Sequence, residues 1–191
     1  MPNLPGRRDF LGLIKDHLQP EELRKVKHAY LLAKVAHQGQ TRDEGVRYFD
    51  HPKSVALILI GLGIYDWEML VAALDHDVIE DTDLRDRELY EDLFGPWVAA
   101  ALQTLSKHPD RDYLAGLQTA DWRVLAVKMA DRLHNLRTLK FVAAEKKQWK
   151  LTETRTDYLP LADRMVEIAP DDMKPIVIRL REEVIEALAS A

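Results

Sequence analysis

The sequence predicts an all-α fold, and three observations support that prediction. Apolar residues recur at helical spacing: over 22–36, for example, Leu23, Val26 and Tyr30 share one face. Proline and glycine stand at the edges of such segments, where helices begin or end. No segment alternates clearly between apolar and polar residues as a half-buried strand does, and there is no repeat.

The first half of the chain alternates between helical segments and one polar loop. The helix over 22–36 has Pro20 in its first turn, where the missing N–H is not needed. A polar loop is expected over 38–50, rich in groups that could touch a ligand. Pro52 then opens a second helix, which stops at the glycines of 61–63.

A third helix follows, with Asp66 as its N-terminal cap and His76 at its end. The remaining helices are shorter or less regular. They are expected over 85–94, 96–107, 113–120, 122–140, 150–161 in one or two pieces, and 170–189.

Length and composition indicate one domain with a substantial core. The chain has 191 residues, of which 47% are hydrophobic, so we expect a single domain over 1–191. Cysteine is absent, which excludes disulfides, thiolate zinc sites and cysteine nucleophiles. Any metal must therefore be held by His, Asp or Glu, and a reducing cytoplasm is the expected location.

Neither membrane nor nucleic acid is expected as a partner. The N-terminal segment lacks the apolar stretch of a signal peptide, and the most apolar run, 55–64, is shorter than the roughly 20 residues that a bilayer requires. A net charge of -5 argues against binding a phosphate backbone over a broad basic face. A small phosphorylated ligand remains possible, because one ion and a few cations can make a pocket locally positive.

The pair His76-Asp77 is the most informative feature of the chain. It ends an apolar run, and neighbouring imidazole and carboxylate groups can turn onto one divalent ion where a helix ends. His51, just ahead of Pro52, and Asp131, inside an apolar segment, supply two more ligands. Acidic residues follow the pair directly: Glu80, Asp81 and Asp83. The sequence therefore predicts a mixed nitrogen and oxygen metal site.

Other conspicuous residues are interpreted as structural. His37 is expected to hold the polar loop, and His134 to pack or cap near the helix that carries Asp131. The Gly61-Leu62-Gly63 segment lacks the third glycine and the preceding strand of a dinucleotide-binding motif. The remaining histidines have no partner spacing, and the tryptophans are assigned to core and helix contacts: His17, His28 and His108; Trp67, Trp97, Trp122 and Trp149.

Four motifs together resemble the HD-domain hydrolases of the Rel/SpoT alarmone family. The segments are AHQGQTR at 36–42, YFDHP at 48–52, LDHDVIEDT at 74–82 and VKMADRLHNLRTL at 127–139. They occur in the order found in that family, and the resemblance spans roughly 26–164. It implies a single helical bundle of the HD-domain type.

The resemblance also implies roles for individual residues. His51, His76, Asp77 and Asp131 would hold one divalent metal ion, usually manganese in this family. Glu80 and Asp81 match an acidic pair that orients the attacking water or accepts its proton; apart from the resemblance, they could be a solvated acid cluster.

Substrate contacts follow from the same resemblance. Arg42 matches an arginine that packs on the substrate base, which suits a planar cation, and Asn135 matches an asparagine near the ribose. Tyr48, Lys128 and Arg137 lie in matching motifs and are candidates for ribose or phosphate contacts, although packing or ion pairing would also explain them.

Two positions depart from the family pattern. Asp75 stands where an apolar residue normally precedes the His-Asp pair, and Asp43 stands where many members have lysine. The first could tune the site or face solvent, whereas the second removes a possible phosphate contact.

The resemblance implies a stand-alone alarmone hydrolase. Its reaction would remove pyrophosphate from the ribose 3′ position of guanosine 3′,5′-bis(pyrophosphate) or its pentaphosphate, giving GDP or GTP. Two alternatives stay open: the same site could act on an adenosine alarmone, NADPH or a 5′-nucleotide, or the protein could be a nucleotide sensor without turnover. The acids Glu80 and Asp81 argue against the sensor, which does not need to handle water.

Overall fold

The computed structural model describes residues 4–42 and 45–191, and it confirms the all-α fold. These residues form twelve α-helices, a 3-10 turn and a π-helical turn. The helices are α1 (Arg7–Gly12), α2 (Pro20–Ala36), α3 (Asp50–Gly61), α4 (Trp67–Asp75), α5 (Val78–Asp81), α6 (Arg87–Phe94), α7 (Pro96–Leu105), α8 (Tyr113–Thr119), α9 (Trp122–Arg137), α10 (Ala144–Glu153), α11 (Leu159–Ile168) and α12 (Lys174–Ser190). The 3-10 turn is Leu139–Phe141 and the π-helical turn is Thr154–Tyr158.

The predicted starts of two helices are confirmed. Pro20 is the first residue of α2, and the Gln19 N–H donates to Glu22 Oε2 over 2.8 Å. The Asp66 side chain accepts the N–H groups of Glu68 and Met69, at 2.9 and 3.1 Å. These caps satisfy N–H groups that have no partner inside the helix.

Several boundaries differ from the sequence prediction. Helix α3 begins at Asp50 rather than Pro52, so His51 lies inside its first turn, where a following proline is tolerated. Helices α1 and α5 were not predicted, because six and four residues are too few to show a period of 3.6. In the predicted polar loop, Thr41 and Arg47 form an isolated antiparallel bridge.

The C-terminal third is also more helical than expected. Helix α9 ends at Arg137, and α10 begins at Ala144, six residues before the predicted start of 150. Helices α10 and α11 are joined by the π-helical turn without an intervening loop. The last helix begins at Lys174 rather than Pro170, after a short turn.

Helix α9 lies at the centre of the core. Eleven of its sixteen residues are buried, and it packs against α3, α4, α11 and α12. Helix α4 is also buried, continuously from Met69 to Asp75. Polar groups on these helices are therefore held in a largely dry interior. None of the helices among residues 4–42 and 45–191 is long and apolar enough to cross a membrane.

Candidate metal centre and active-site cavity

Four predicted ligands meet where α3, α4 and α9 pack together. His51 lies in the first turn of α3, His76 and Asp77 follow the last residue of α4, and Asp131 lies in the middle of α9. Both imidazoles are 2% exposed and Asp131 is 5% exposed. His51 and Asp131 are thus fixed by buried helices, and His76 and Asp77 by the two-residue turn between α4 and α5.

Their ligand atoms converge on one point. His51 Nε2 lies 3.1 Å from Asp131 Oδ1 and 3.5 Å from Asp77 Oδ2. His76 Nε2 lies 3.1 Å from Asp77 Oδ1 and 3.8 Å from Asp131 Oδ1. One atom from each of His51, His76 and Asp77 falls within 4.8 Å of the others. Such spacing suits side chains that share one ion.

The imidazole hydrogen bonds leave the inward nitrogens available. His76 Nδ1 donates to the Ala73 carbonyl over 3.0 Å, and its buried Nε2 makes no hydrogen bond to any described residue despite the nearby carboxylate. His51 Nδ1 lies 2.8 Å from His134 Nδ1. A proton on His51 Nδ1 donated to His134 leaves the His51 Nε2 lone pair free. Two such nitrogens and two carboxylates fit a divalent metal ion.

The charges around the site favour the protonation states that a metal requires. Burial raises the pKa of Asp131, but Lys128, His51 and His76 outweigh it and hold that pKa well below its usual range. Burial also opposes ionisation of Asp77, yet His76 and His51 lower its pKa overall. Burial lowers the pKa of His51 and keeps it neutral. Ionised carboxylates and neutral imidazoles are the forms that bind a metal ion.

Asp131 is held in place by two neighbours on its own helix. Lys128 Nζ donates to Asp131 Oδ2 over 2.9 Å, and Asn135 Nδ2 donates to Oδ1 over 2.6 Å. The Lys128 ammonium is itself buried in this ion pair. These contacts leave Oδ1 directed towards His51, so they orient the carboxylate for a ligand role.

Glu80 and Asp81, both in α5, line a cavity that opens beside the metal centre. Glu80 Oε2 accepts the Lys107 N–H over 2.9 Å. Burial raises the pKa of Glu80, and the charges of Asp77 and Asp81 add to that, against the hydrogen bond from Lys107. A raised pKa suits a carboxylate that must exchange a proton near neutral pH.

Tyr48 links the acids to the metal centre. Its hydroxyl lies 3.0 Å from Asp77 Oδ2 and also contacts Asp81 Oδ2. Burial raises the pKa of Tyr48, and Asp77 and Asp81 raise it further. The phenol therefore stays protonated and donates to the carboxylates.

A cavity of about 310 Å³ brings most of the predicted substrate contacts beside the metal centre. Arg42, Tyr48, Lys128 and Asn135 all line it. Arg42 Nη2 donates to Asn135 Oδ1 over 2.7 Å, so the two residues assigned to base and ribose already touch. Asp43 lies outside the described residues.

Arg137 is an exception, because the structure does not bring it to this cavity. Its Nη2 donates to Glu183 Oε2 of α12 over 2.8 Å, and it lines a separate cavity. Asp131 and Asn135 are four residues apart and share a face, whereas Arg137 lies roughly 200° around the helix from Asn135. The expected substrate contact of Arg137 is therefore corrected to an ion pair between α9 and α12.

The cavity also contains residues of α10 that the sequence interpretation missed. Lys146, Trp149 and Lys150 line it. Trp149 is 54% exposed, so its assignment to the core was wrong. Trp149 and Lys150 lie three and four residues after Lys146, which was a usable signal, but the predicted helix began only at 150. The other tryptophans pack partly buried against the core as expected: Trp67, Trp97 and Trp122.

Two histidines behave as their structural interpretation predicted. His37 Nδ1 lies 2.8 Å from Gln40 Oε1 and so holds the loop. His134 packs beside the Asp131 helix, and burial together with His51 and Arg42 lowers its pKa to about 3. In addition, His134 is the hydrogen-bond partner of a candidate ligand, which the sequence did not indicate.

Asp75, the first departure from the family pattern, is fully buried. Neither of its carboxylate oxygens has a hydrogen-bond partner among the described residues. Burial raises its pKa well above the usual value. Asp75 therefore faces the protein interior rather than solvent.

Comparison with known proteins identifies the class. A family model described as HD domain matches residues 29–119, which include His51, His76 and Asp77. A solved structure described as a metazoan orthologue of SpoT that hydrolyses ppGpp and plays a role in starvation responses superposes with a TM-score of 0.71. The superposition covers 87% of this chain and 94% of the solved chain. The sequence identity is 24%, so this likeness concerns the fold.

Curated relatives point to one group within that class. The bifunctional (p)ppGpp synthase/hydrolase SpoT of Escherichia coli (strain K12) is 37% identical over 166 residues, 80% of this chain and 23% of SpoT. The guanosine-3′,5′-bis(diphosphate) 3′-pyrophosphohydrolase of Vibrio cholerae is 34% identical over 197 residues, 91% of this chain and 27% of that protein. The chain thus spans about a quarter of the length of these relatives.

The helical fold and the paired His and Asp residues define an HD-domain protein. Within that class, the curated relatives that the chain resembles are SpoT and guanosine-3′,5′-bis(diphosphate) 3′-pyrophosphohydrolases.

Proposed function

We propose that the protein is a metal-dependent hydrolase of the 3′-pyrophosphate of guanosine 3′,5′-bis(diphosphate) and its 5′-triphosphate analogue. The observation that carries this proposal is one cavity lined by His51, Asp77 and Asp131 together with the acids Glu80 and Asp81. The names of the relatives from Escherichia coli and Vibrio cholerae support the choice of substrate. The products would be GDP or GTP and pyrophosphate.

The proposed cofactor is one divalent ion, Mn²⁺, held by His51, His76, Asp77 and Asp131. When bound, such an ion supplies Lewis acidity that lowers the pKa of water and polarises a phosphoryl oxygen. The mixed imidazole and carboxylate set suits this ion, since both ligand types are acceptable to it.

Glu80 and Asp81 handle the water in this proposal. Water attacks the phosphorus atom next to the ribose 3′ oxygen, the bond between them breaks, and that oxygen gains a proton. Glu80 accepts the proton from water, for which its raised pKa is suited. Asp81 orients the water, while the Tyr48 hydroxyl fixes the Asp81 carboxylate.

Cations and an amide in the cavity would hold the nucleotide. Arg42 and Asn135 contact the base and the ribose, and Lys128 contributes positive charge next to Asp131. A cavity of about 310 Å³ suits a small-molecule substrate rather than a polynucleotide. We also propose a single domain over 1–191 and a cytoplasmic location, consistent with the absence of cysteine.

A nucleotide panel tests the proposal. Purified protein loaded with Mn²⁺ is incubated with guanosine and adenosine alarmones, NADPH and 5′-nucleotides, and the products are separated by chromatography. We expect pyrophosphate and GDP or GTP from the guanosine alarmones. His76→Gln should abolish the reaction, whereas His28→Gln, which removes an exposed histidine, should not.

Two results would contradict it. Faster turnover of an adenosine alarmone, NADPH or a 5′-nucleotide would assign a different substrate. Tight guanosine alarmone binding without turnover, under conditions where metal analysis shows a filled site, would make the protein a sensor.

A further inference from the structure

Helix α10 presents an aromatic side chain to the active-site cavity between two lysines. Trp149 and Lys150 lie three and four residues after Lys146, so all three fall on one broad face of the helix, and all three line the cavity. Leu151, on another face of α10, is buried in the core. The helix therefore packs through one side and offers Trp149 to the cavity from another.

The exposure of Trp149 calls for a ligand with a flat apolar surface. The indole is 54% exposed, although a tryptophan side chain gains free energy by being buried. Lys107 Nζ lies 5.9 Å from the ring centroid, at the outer limit of a cation–π interaction. A large part of the ring is thus available inside a cavity whose other walls are mainly polar.

The charges beside Trp149 indicate that this ligand is anionic. Burial lowers the pKa of Lys150, and Arg42, Lys146 and Arg132 lower it further, so Lys150 has three cations for neighbours at this end of the cavity, of which Arg132 is paired with Glu153. Among residues 4–42 and 45–191, no hydrogen bond or ion pair engages the Lys150 ammonium. Cations gathered in this way are stabilised by phosphate groups.

We infer that Trp149 is the platform on which the base of the nucleotide stacks, with Lys146 and Lys150 contacting phosphate oxygens of the same ligand. This inference rests on the proposed function in taking the ligand to be a nucleotide. A base satisfies the aromatic face and its phosphates satisfy the lysines, which an apolar peptide would not do. Arg42 remains the second expected contact to the base.

Stacking on an indole has a recognisable selectivity. Every base presents a π-face, so guanine and adenine should bind similarly through Trp149, and the smaller pyrimidines more weakly. Inorganic pyrophosphate has no base, so its binding affinity should not depend on the Trp149 ring. Trp149 thus sets a preference for purine nucleotides over phosphates alone.

The test compares Trp149→Ala with Trp149→Phe in the metal-loaded protein. Dissociation constants are measured for GDP, ADP, CDP and inorganic pyrophosphate. Trp149→Ala should weaken GDP and ADP binding by roughly 5- to 150-fold, Trp149→Phe should weaken it much less, and neither should change pyrophosphate binding. Phe141→Ala is the matched control, because Phe141 is also exposed but lies outside the cavity.

Two further readouts separate the outcomes. GDP should quench the tryptophan fluorescence of the parent protein and not that of Trp149→Phe, and Trp149→Ala should raise KM for the guanosine alarmone while kcat stays within about twofold. If the parent protein hydrolyses the alarmone with a KM that Trp149→Ala leaves unchanged, this inference is overturned and the proposed function stands. If no alarmone is hydrolysed but GDP affinity depends on Trp149, the inference stands and the proposed function fails.

Other results also count against the platform. A parent protein that binds none of the nucleotides overturns it. So does a concentration-dependent oligomer that Trp149→Ala abolishes without any change in GDP affinity, since the ring would then belong to an interface between copies of this chain.

Discussion

Two buried aspartates in this protein have opposite acidities, and their neighbours explain the difference. Asp131 pairs with Lys128 at 2.9 Å and faces two imidazoles, so its pKa lies well below the usual range. Asp75 has no partner within the described part of the chain, and burial raises its pKa well above that range. Asp131 is therefore ionised and able to bind a metal ion, whereas Asp75 is stable as the neutral acid.

Asp75 should make the protein less stable as the pH rises. Its folded-state pKa lies above its unfolded value of about 3.9, so the folded state holds the proton more tightly. Stability is then fully present below pH ~4 and falls by about 1.4 kcal/mol per pH unit until the folded-state pKa is passed. Asp75→Asn cannot ionise and should lack this decline.

The measurement is denaturant unfolding of the metal-free protein across this pH range. Subtracting the Asp75→Asn curve from that of the parent protein isolates the contribution of Asp75. Asp172→Asn is the control, since Asp172 is exposed, and its difference curve should be flat. Parallel curves for the parent protein and Asp75→Asn would contradict the prediction.

A substitution at Glu80 should slow the chemical step and leave metal and substrate binding nearly unchanged. Glu80→Gln keeps the shape and can still accept the Lys107 N–H, but it cannot accept a proton from water. Turnover should fall by about 10²-fold or more, while metal content and KM change little. The acid limb of the parent pH–rate profile should lie above the usual glutamate range, because burial raises the Glu80 pKa.

Steady-state kinetics with metal analysis check the role of Glu80. Glu91→Gln, which alters an exposed acid of α6, serves as the control and should behave like the parent. A loss confined to KM, with kcat unchanged, would make Glu80 a binding residue instead.

At the scale of elements, the sequence revealed helices whose signals are local. Helix α2 shows a clear apolar period and α4 carries its own cap, Asp66, so both were predicted well. Helix α1, with six residues, is too short to show a period. Helix α10 has few apolar residues and continues directly into a π-helical turn, so its start was placed six residues late.

The site could be predicted where motifs lie close in sequence, and not where packing decides. His76 and Asp77 stand side by side, so their chemistry is visible in the sequence. The direction in which the Arg137 side chain points depends on the rotation of α9 against α12. The direction of the Trp149 side chain depends on where α10 begins. Both depend on contacts between distant parts of the chain, which a single sequence does not display.

Helices α9 and α10 are joined by an ion pair beside the cavity. Arg132 Nη2 donates to Glu153 Oε2 over 2.8 Å, and both side chains are largely buried. The Arg132 guanidinium also stacks 3.7 Å from the centroid of the Tyr158 ring. Because α10 carries Trp149, this pair holds the proposed base platform against the helix that carries Asp131.

Removing one partner of the Arg132–Glu153 ion pair should destabilise the fold. Glu153→Ala leaves the Arg132 charge buried without its acid and should lower the free energy of unfolding by about 3–5 kcal/mol. Replacing both residues by apolar ones, Arg132→Met with Glu153→Leu, should recover most of that loss.

Denaturant unfolding of the metal-free variants measures both effects of the Arg132–Glu153 pair. Glu167→Ala, at an exposed position of α11, is the control and should stay within about 0.5 kcal/mol of the parent. A Glu153→Ala variant as stable as that control would mean that the pair contributes little.

At the scale of the whole molecule, the candidate ligands connect segments that are distant in sequence. His51 comes from α3, His76 and Asp77 from the junction of α4 and α5, and Asp131 from α9. The unfolded chain does not bring these groups together. A bound ion therefore interacts far more strongly with the folded state, and its binding free energy adds to the stability of the fold.

Metal binding should raise the unfolding temperature in a way that depends on His51. At a free Mn²⁺ concentration of about one hundred times Kd, the gain should be about 2.7 kcal/mol, and a chelator should reverse it. His51→Gln removes one imidazole ligand and should lose most of the shift, whereas His28→Gln, which alters an exposed histidine of α2, should retain it. Thermal unfolding over a series of Mn²⁺ concentrations measures each shift. If His51→Gln is stabilised as much as the parent, the ion that raises the unfolding temperature binds elsewhere on the protein, and the four-ligand assignment fails.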